Sequence, residues 1–325
     1  MRRALAILDS LGETGSLNYD GYLASLASSL DQQGHQREAS LQYRRTLFLM
    51  DSAGAGETID RAIFEHNYGL ILSELGESAR AEETLHDVLT RLARSDPTSH
   101  LPQQPLIHYA QIAYDNWHSD SAEKYFGILA RQADQEHNSY WAGRALFGLA
   151  EAQLQKGDLA AARGTMRRFR AVADNPKLRN TDDHILDSRI LDARVALAGD
   201  DFARAFDLVM EALHARGYPD GARKRVMREA LLLAAEAALG AQRPDSALRL
   251  ARDAREMATL DSITDTRSAR VGEARLVEGR ALLARGDTVT ARATLVRALE
   301  ALRTAAGAAH PLTRETGSLL AALPH

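Results

Sequence analysis

Seven times along this chain, two small side chains stand twelve residues apart. The first marks are Ala27, Gly69, Ala110, Ala150, Ala193, Ala235 and Gly279; the second are Ala39, Ala81, Ala122, Ala162, Ala205, Ala247 and Ala291. The outer period drifts between 40 and 44 residues while the inner twelve never changes. A fixed interval inside a drifting period describes a rigid unit joined by tolerant loops. Residues 67–89, NYGLILSELGESARAEETLHDVL, show what the unit is. Gly69 and Ala81 are small where two helix backbones approach. Leu72, Leu85 and Val88 fall on one face at steps of three and four. Gly76 ends the first helix in a conformation that a Cβ resists. Stacked hairpins of this kind have no single core to saturate, so 325 residues do not call for two globular domains. Gly34, Gly76, Gly157 and Gly286 hold the turn position, whereas the third copy has Trp117, the fifth Asp200 after Gly199, and the sixth Gln242.

The order small residue, Leu, Gly, Ala, large apolar resembles the tetratricopeptide repeat. That family's usual period is about 34 residues, and the longer one here resembles its kinesin-light-chain-like variant, found in bacterial multidomain signalling proteins. The run GAAHPLT at 307–313 is similar to that variant's linker. The resemblance covers nearly the whole chain. It implies an all-α, right-handed superhelical solenoid of about seven antiparallel helix pairs with end helices. The expected organisation is one solenoid over 1–325: a partial repeat or cap at 1–15, seven pairs over 19–305, and a capping helix at 311–323 with Leu319, Leu320 and Leu323 on one face. Arg2–Leu11 reads as the second helix of a repeat whose first helix is missing, or as an N-terminal cap. The prolines at 97, 102 and 105 mark a long connection, and no proline falls inside an expected helix.

Composition excludes several classes. The net charge of −4 provides no basic stripe for nucleic acid. With no cysteine, disulfides, thiolate metal sites and a cysteine nucleophile are excluded. No run approaches the roughly 18 apolar residues of a membrane span. His100, His108 and His118 lie close in sequence without HExxH spacing, and GxxxxGK[ST], GxGxxG and GxSxG are absent. The expectation is a non-enzymatic, cofactor-free, soluble cytoplasmic chain.

By resemblance, the first helix of each pair lines the concave face. The candidate groove is Ile107, Tyr114, Phe147, Glu151, Asp187, Arg194, Glu229, Glu236, Glu273 and Arg280. Three residues before each small mark stand Ala24, His66, Ile107, Phe147, Ile190, Leu232 and Leu276; four after stand Asp31, Ser73, Tyr114, Leu154, Leu197, Leu239 and Leu283. These rows form an apolar groove floor or are buried between neighbouring first helices, and apolar rows at helical spacing favour burial. The charged positions beside them are mostly acidic, which suits a basic amphipathic helix or extended segment. The function implied is a protein- or peptide-binding scaffold, the interaction region of a larger bacterial signalling or regulatory protein. The alternative is a free-standing sensor that binds a peptide or small ligand in its groove.

Overall fold

The computed structural model describes residues 10, 12, 17–95, 100–173, 181–219, 225–259 and 267–323. Of the Arg2–Leu11 helix expected from sequence, all but Ser10 lies outside them. Among the described residues, seven helix pairs follow one another: α1 (Leu17–Gln32) with α2 (Gln36–Ser52), α3 (Ile59–Glu74) with α4 (Ser78–Ser95), α5 (Gln103–Asp115) with α6 (Ser119–Gln135), α7 (Ser139–Gln155) with α8 (Leu159–Ala173), α9 (Thr181–Ala198) with α10 (Phe202–Ala215), α11 (Arg225–Gly240) with α12 (Pro244–Thr259), and α13 (Ala269–Ala284) with α14 (Thr288–Ala305). A last helix, α15, spans Pro311–Ala322. Each packs chiefly on its sequence neighbours, which is the logic of a solenoid. The molecule is an all-helical superhelix.

The twelve-residue register is the hairpin crossing. All seven second-helix alanines are fully buried, as are Ala27, Ala110, Ala150, Ala193 and Ala235. At Gly69 an added Cβ would stand 2.8 Å from the Leu85 side chain, and at Gly279 it would stand 2.6 Å from Leu295. A larger residue at either mark therefore has no room. One buried cluster runs through the first four pairs and another through the last three, with Phe147 packed against both. Leu319, Leu320 and Leu323 close the far end against Leu276 and Leu295.

All seven hairpin turns have one geometry, with or without glycine. Gly34, Gly76, Trp117, Gly157, Asp200, Gln242 and Gly286 all have φ between 57° and 82°. At each, the turn N–H donates to the carbonyl three residues back at 2.9–3.1 Å, and the next N–H donates five back at 2.8–3.0 Å. This pair of bonds satisfies carbonyls that the helix end leaves open. A left-handed conformation costs a residue with a Cβ about 1–2 kcal/mol. Gln242 is exposed, so Gln242→Gly is expected to stabilise the chain by about 0.5–1 kcal/mol after the extra chain entropy of glycine is subtracted. Urea midpoints of the two proteins check this; an unchanged or lower midpoint contradicts it.

Candidate functional site

The inner wall is built from odd-numbered helices, because hairpins stacked in register present the same face of each first helix to the axis. The row three before the small residue is largely buried: Ala24, His66, Ile107, Ile190, Leu232 and Leu276 are each at most 8% exposed. Burial wins over the groove-floor alternative for this row, although Leu232 also borders the cavity described next. Ile107 therefore leaves the candidate site. Phe147 is half-buried and meets Phe169 edge-on at 6.0 Å. The row four after is different: Tyr114, Leu154, Leu197, Leu239 and Leu283 are half-buried.

Tyr114, Glu151, Arg194, Glu229, Glu236 and Glu273 converge on one cavity of about 300 Å³, beside Leu154, Leu197 and Leu232. The cavity is the solenoid's lumen. Asp187 stands apart, paired to Arg216 at 3.0 Å. Arg280 bridges Glu236 at 3.9 Å and Glu315 of α15 at 3.7 Å. Arg228, Arg270, Asp115 and His310 also line the lumen, and none was among the sequence candidates. Five carboxylates thus face three guanidinium groups there, leaving the wall net acidic.

The charges form a ladder across successive first helices. Arg194 Nε lies 2.9 Å from Glu151 Oε1, with its guanidinium 5.9 Å from the Tyr114 ring centre. Arg228 donates to Glu273 at 3.2 Å and to Glu229 at 3.4 Å. Glu151 is 4% exposed. Burial raises its carboxyl to about 7, against the pull of Arg194 and with help from Glu229, Asp115 and Asp187. Desolvation also raises Glu236 and Glu273. These two keep 42% and 38% of their side-chain surface open to the lumen. The Tyr114 hydroxyl is pushed up by the same desolvation and stays protonated.

The histidines resolve into separate contacts. His66 Nε2 lies 2.9 Å from His108 Nδ1, His118 holds Glu82 at 2.7 Å, and His100 stands 3.5 Å from Glu136. Among the described residues no group of three His, Asp or Glu is placed to hold a metal, and no helix is long and apolar enough to cross a membrane. Trp141 packs edge-on against Tyr140, whereas Trp117 is 42% exposed at its turn and lines the lumen.

The tetratricopeptide-repeat family profile matches residues 143–168 and 272–297. Each match starts in a first helix and ends in its partner, α7–α8 and α13–α14. The fold is a tetratricopeptide-type solenoid. Two solved structures align along almost all of the array. One is a tetratricopeptide repeat protein from Parabacteroides merdae, with TM-score 0.51, 12% identity, and coverage of 93% of this chain and 98% of that one. The other is a Rap protein complexed with competence and sporulation factor, with TM-score 0.52, 10% identity, and coverage of 99% of both chains. No curated protein sequence matches the array.

Proposed function

We propose that the array is a non-catalytic protein- or peptide-binding scaffold whose lumen holds a segment carrying basic side chains. The observation that supports this reading is the convergence of Glu151, Glu229, Glu236 and Glu273, from three different helices, on one partly dehydrated wall with an acidic excess. Charge in a concave surface is focused more strongly than on an open one. The half-buried Leu154 and Leu197 would add apolar contact, while the carboxylates would set partner choice and on-rate. A Rap protein of the same fold is known in complex with a factor, which supports a ligand-holding role for a solenoid of this length. We infer further that the array is the interaction region of a bacterial signalling or regulatory protein. Repeat period is the support for that step, and the gene sequence upstream of Met1 tests it.

A peptide array read at two salt concentrations tests the binding role. Hits should be enriched in Lys and Arg and should fade with salt, since exposed charges are screened over about 8–10 Å. Glu236→Lys should weaken the best hit at least tenfold without changing the melting temperature. Its nearest cation, Arg280, also has Glu315. Glu229 and Glu273 are poorer choices than their rim positions in sequence imply. Both support the buried Arg228, and reversing them would strand it. Predominantly acidic hits, or unchanged binding by Glu236→Lys, would overturn the reading. A second reading, a sensor for a small ligand, is favoured by the size of the cavity: about 300 Å³ is the lower end of small-molecule sites.

A further inference from the structure

In a solenoid each repeat needs only its neighbours to bury its faces. Among the described residues, two neighbouring contacts lie outside that logic. The turn after α3, in the second pair, meets the start of α13, in the seventh. Ala269 donates its backbone N–H to the Gly76 carbonyl at 3.0 Å. Arg270 donates to the Glu74 carboxylate at 2.9 Å and to the Ser73 hydroxyl at 3.1 Å. Ser268 lies so close to Gly76 that a Cβ there would stand 2.2 Å from its hydroxyl oxygen. The seam is dry on one side and wet on the other: the Arg270 side chain is 10% exposed, Ser268 1% and Ser73 5%, while Glu74 is 41% exposed. A second contact lies beside it. The His310 ring, just before α15, is hydrogen-bonded to the Asp115 backbone at the end of α5.

The second and seventh pairs of the inner wall therefore meet, and the curl of the superhelix closes into a ring between them. Ala269, Arg270 and His310 are at once seam residues and lumen lining. The seam is small and polar, and it closes an array whose curvature is a sum of small rotations between pairs. Small changes in these rotations add up over the steps between pairs two and seven.

We propose that this seam is a latch: the Glu74–Arg270 pair and the Gly76–Ala269 hydrogen bond hold the ring shut and gate entry to the lumen. The gating role for ligands rests on the lumen being the binding site; the closed ring itself does not. Admitting a segment then requires the Arg270 guanidinium to leave Glu74 and Ser73. The gate differs from a mobile lid, because what moves is the relative rotation of all the pairs between two and seven.

Two measurements on the full chain test the latch without any ligand, and the lack of native cysteine makes both practicable. Spin labels on cysteines at the exposed positions Ala79 and Arg267 report the width of the seam. The wild-type background should give one narrow, short distance; Arg270→Ala should give a broad, longer distribution. A lone cysteine at Leu197, on the lumen wall, reports access. A small maleimide should label it in every background. A maleimide on a 5-kDa polyethylene glycol should label it at least tenfold faster in Arg270→Ala than in the closed ring. Glu74→Gln, at an exposed helix end, should give an increase of several-fold, and it carries the test should Arg270→Ala fold poorly. A broad distance in the unaltered ring, or bulky labelling indifferent to both substitutions, overturns the latch. Failure of basic peptides to bind would leave both readouts unchanged, so the two proposals fall separately.

Discussion

Leucine at position 148 is expected to lower the unfolding free energy by about 3 kcal/mol, at the upper end of overpacking costs. Gly148 lies on α7 against Phe126 of α6. A Cβ there would stand 2.3 Å from the ring, and Phe126 is 1% exposed with nowhere to turn. Leucine at Ala81 or Ala162, both fully buried at hairpin crossings, should cost about 1–3 kcal/mol. Arg163→Leu, one residue from Ala162 but exposed, should stay within about 0.5 kcal/mol. The sign reverses where space is open. Gly317 in α15 has nothing within 4 Å of an added Cβ, so Gly317→Ala should gain up to about 1 kcal/mol through helix propensity. Denaturant midpoints of the five variants check the set, and equal costs at 81, 162 and 163 would refute the register.

The second large effect is in pH dependence, where two buried groups oppose each other. Glu151 titrates near 7 in the folded chain against an ordinary value of 4.5. The folded state binds the extra proton, so this stability is complete below about 4.5 and is lost as pH rises through 7. His310 is the reverse. Burial, with His118 nearby, lowers it from 6.5 to about 4. Its contribution is complete above 6.5 and is lost as pH falls through 4. Each is worth at most about 3 kcal/mol. Between pH 4.5 and 6.5 the two slopes nearly cancel, and single substitutions uncover them. Relative to the unaltered chain, Glu151→Gln should lose stability on acidification from pH 7 to 4.5. His310→Gln should lose it as pH rises from 4 to 6.5. Urea unfolding at half-unit pH intervals reads both differences. A Glu151→Gln profile parallel to that of the unaltered chain would mean that Glu151 titrates alike in the folded and unfolded chains, and the account of the lumen as a dehydrated wall would fail.

The hairpins were legible because backbone approach leaves a mark in side-chain size. Ala39 to Ala291 and their partners twelve residues earlier are all at crossings. Turn geometry was less legible. Trp117, Asp200 and Gln242 follow the same hydrogen-bond pattern as the glycines, because satisfying two helix-end carbonyls outweighs the local preference of one residue. Half of the inner wall could be read from position: Glu151, Arg194 and Glu236 stand one after the small residue, Glu229 and Glu273 six before. Ile107 could not be separated from the wall by pattern, since both faces of a first helix that touch neighbours share the apolar period. Arg270, His310 and Arg228 left no signal. Which distant pairs meet depends on curvature summed over the intervening repeats, and no local spacing records that sum.

The central claim is that the inner wall of the later pairs is the binding surface. Hydrogen–deuterium exchange of the full chain, with and without the strongest basic peptide from the array, tests it most directly. The account predicts new protection concentrated in the first helices α7, α9, α11 and α13, at the positions around Glu151, Arg194, Glu229, Glu236 and Glu273, with the second helices α8, α10, α12 and α14 unchanged. Protection confined to those second helices or to α15, with the first helices unchanged, would contradict it.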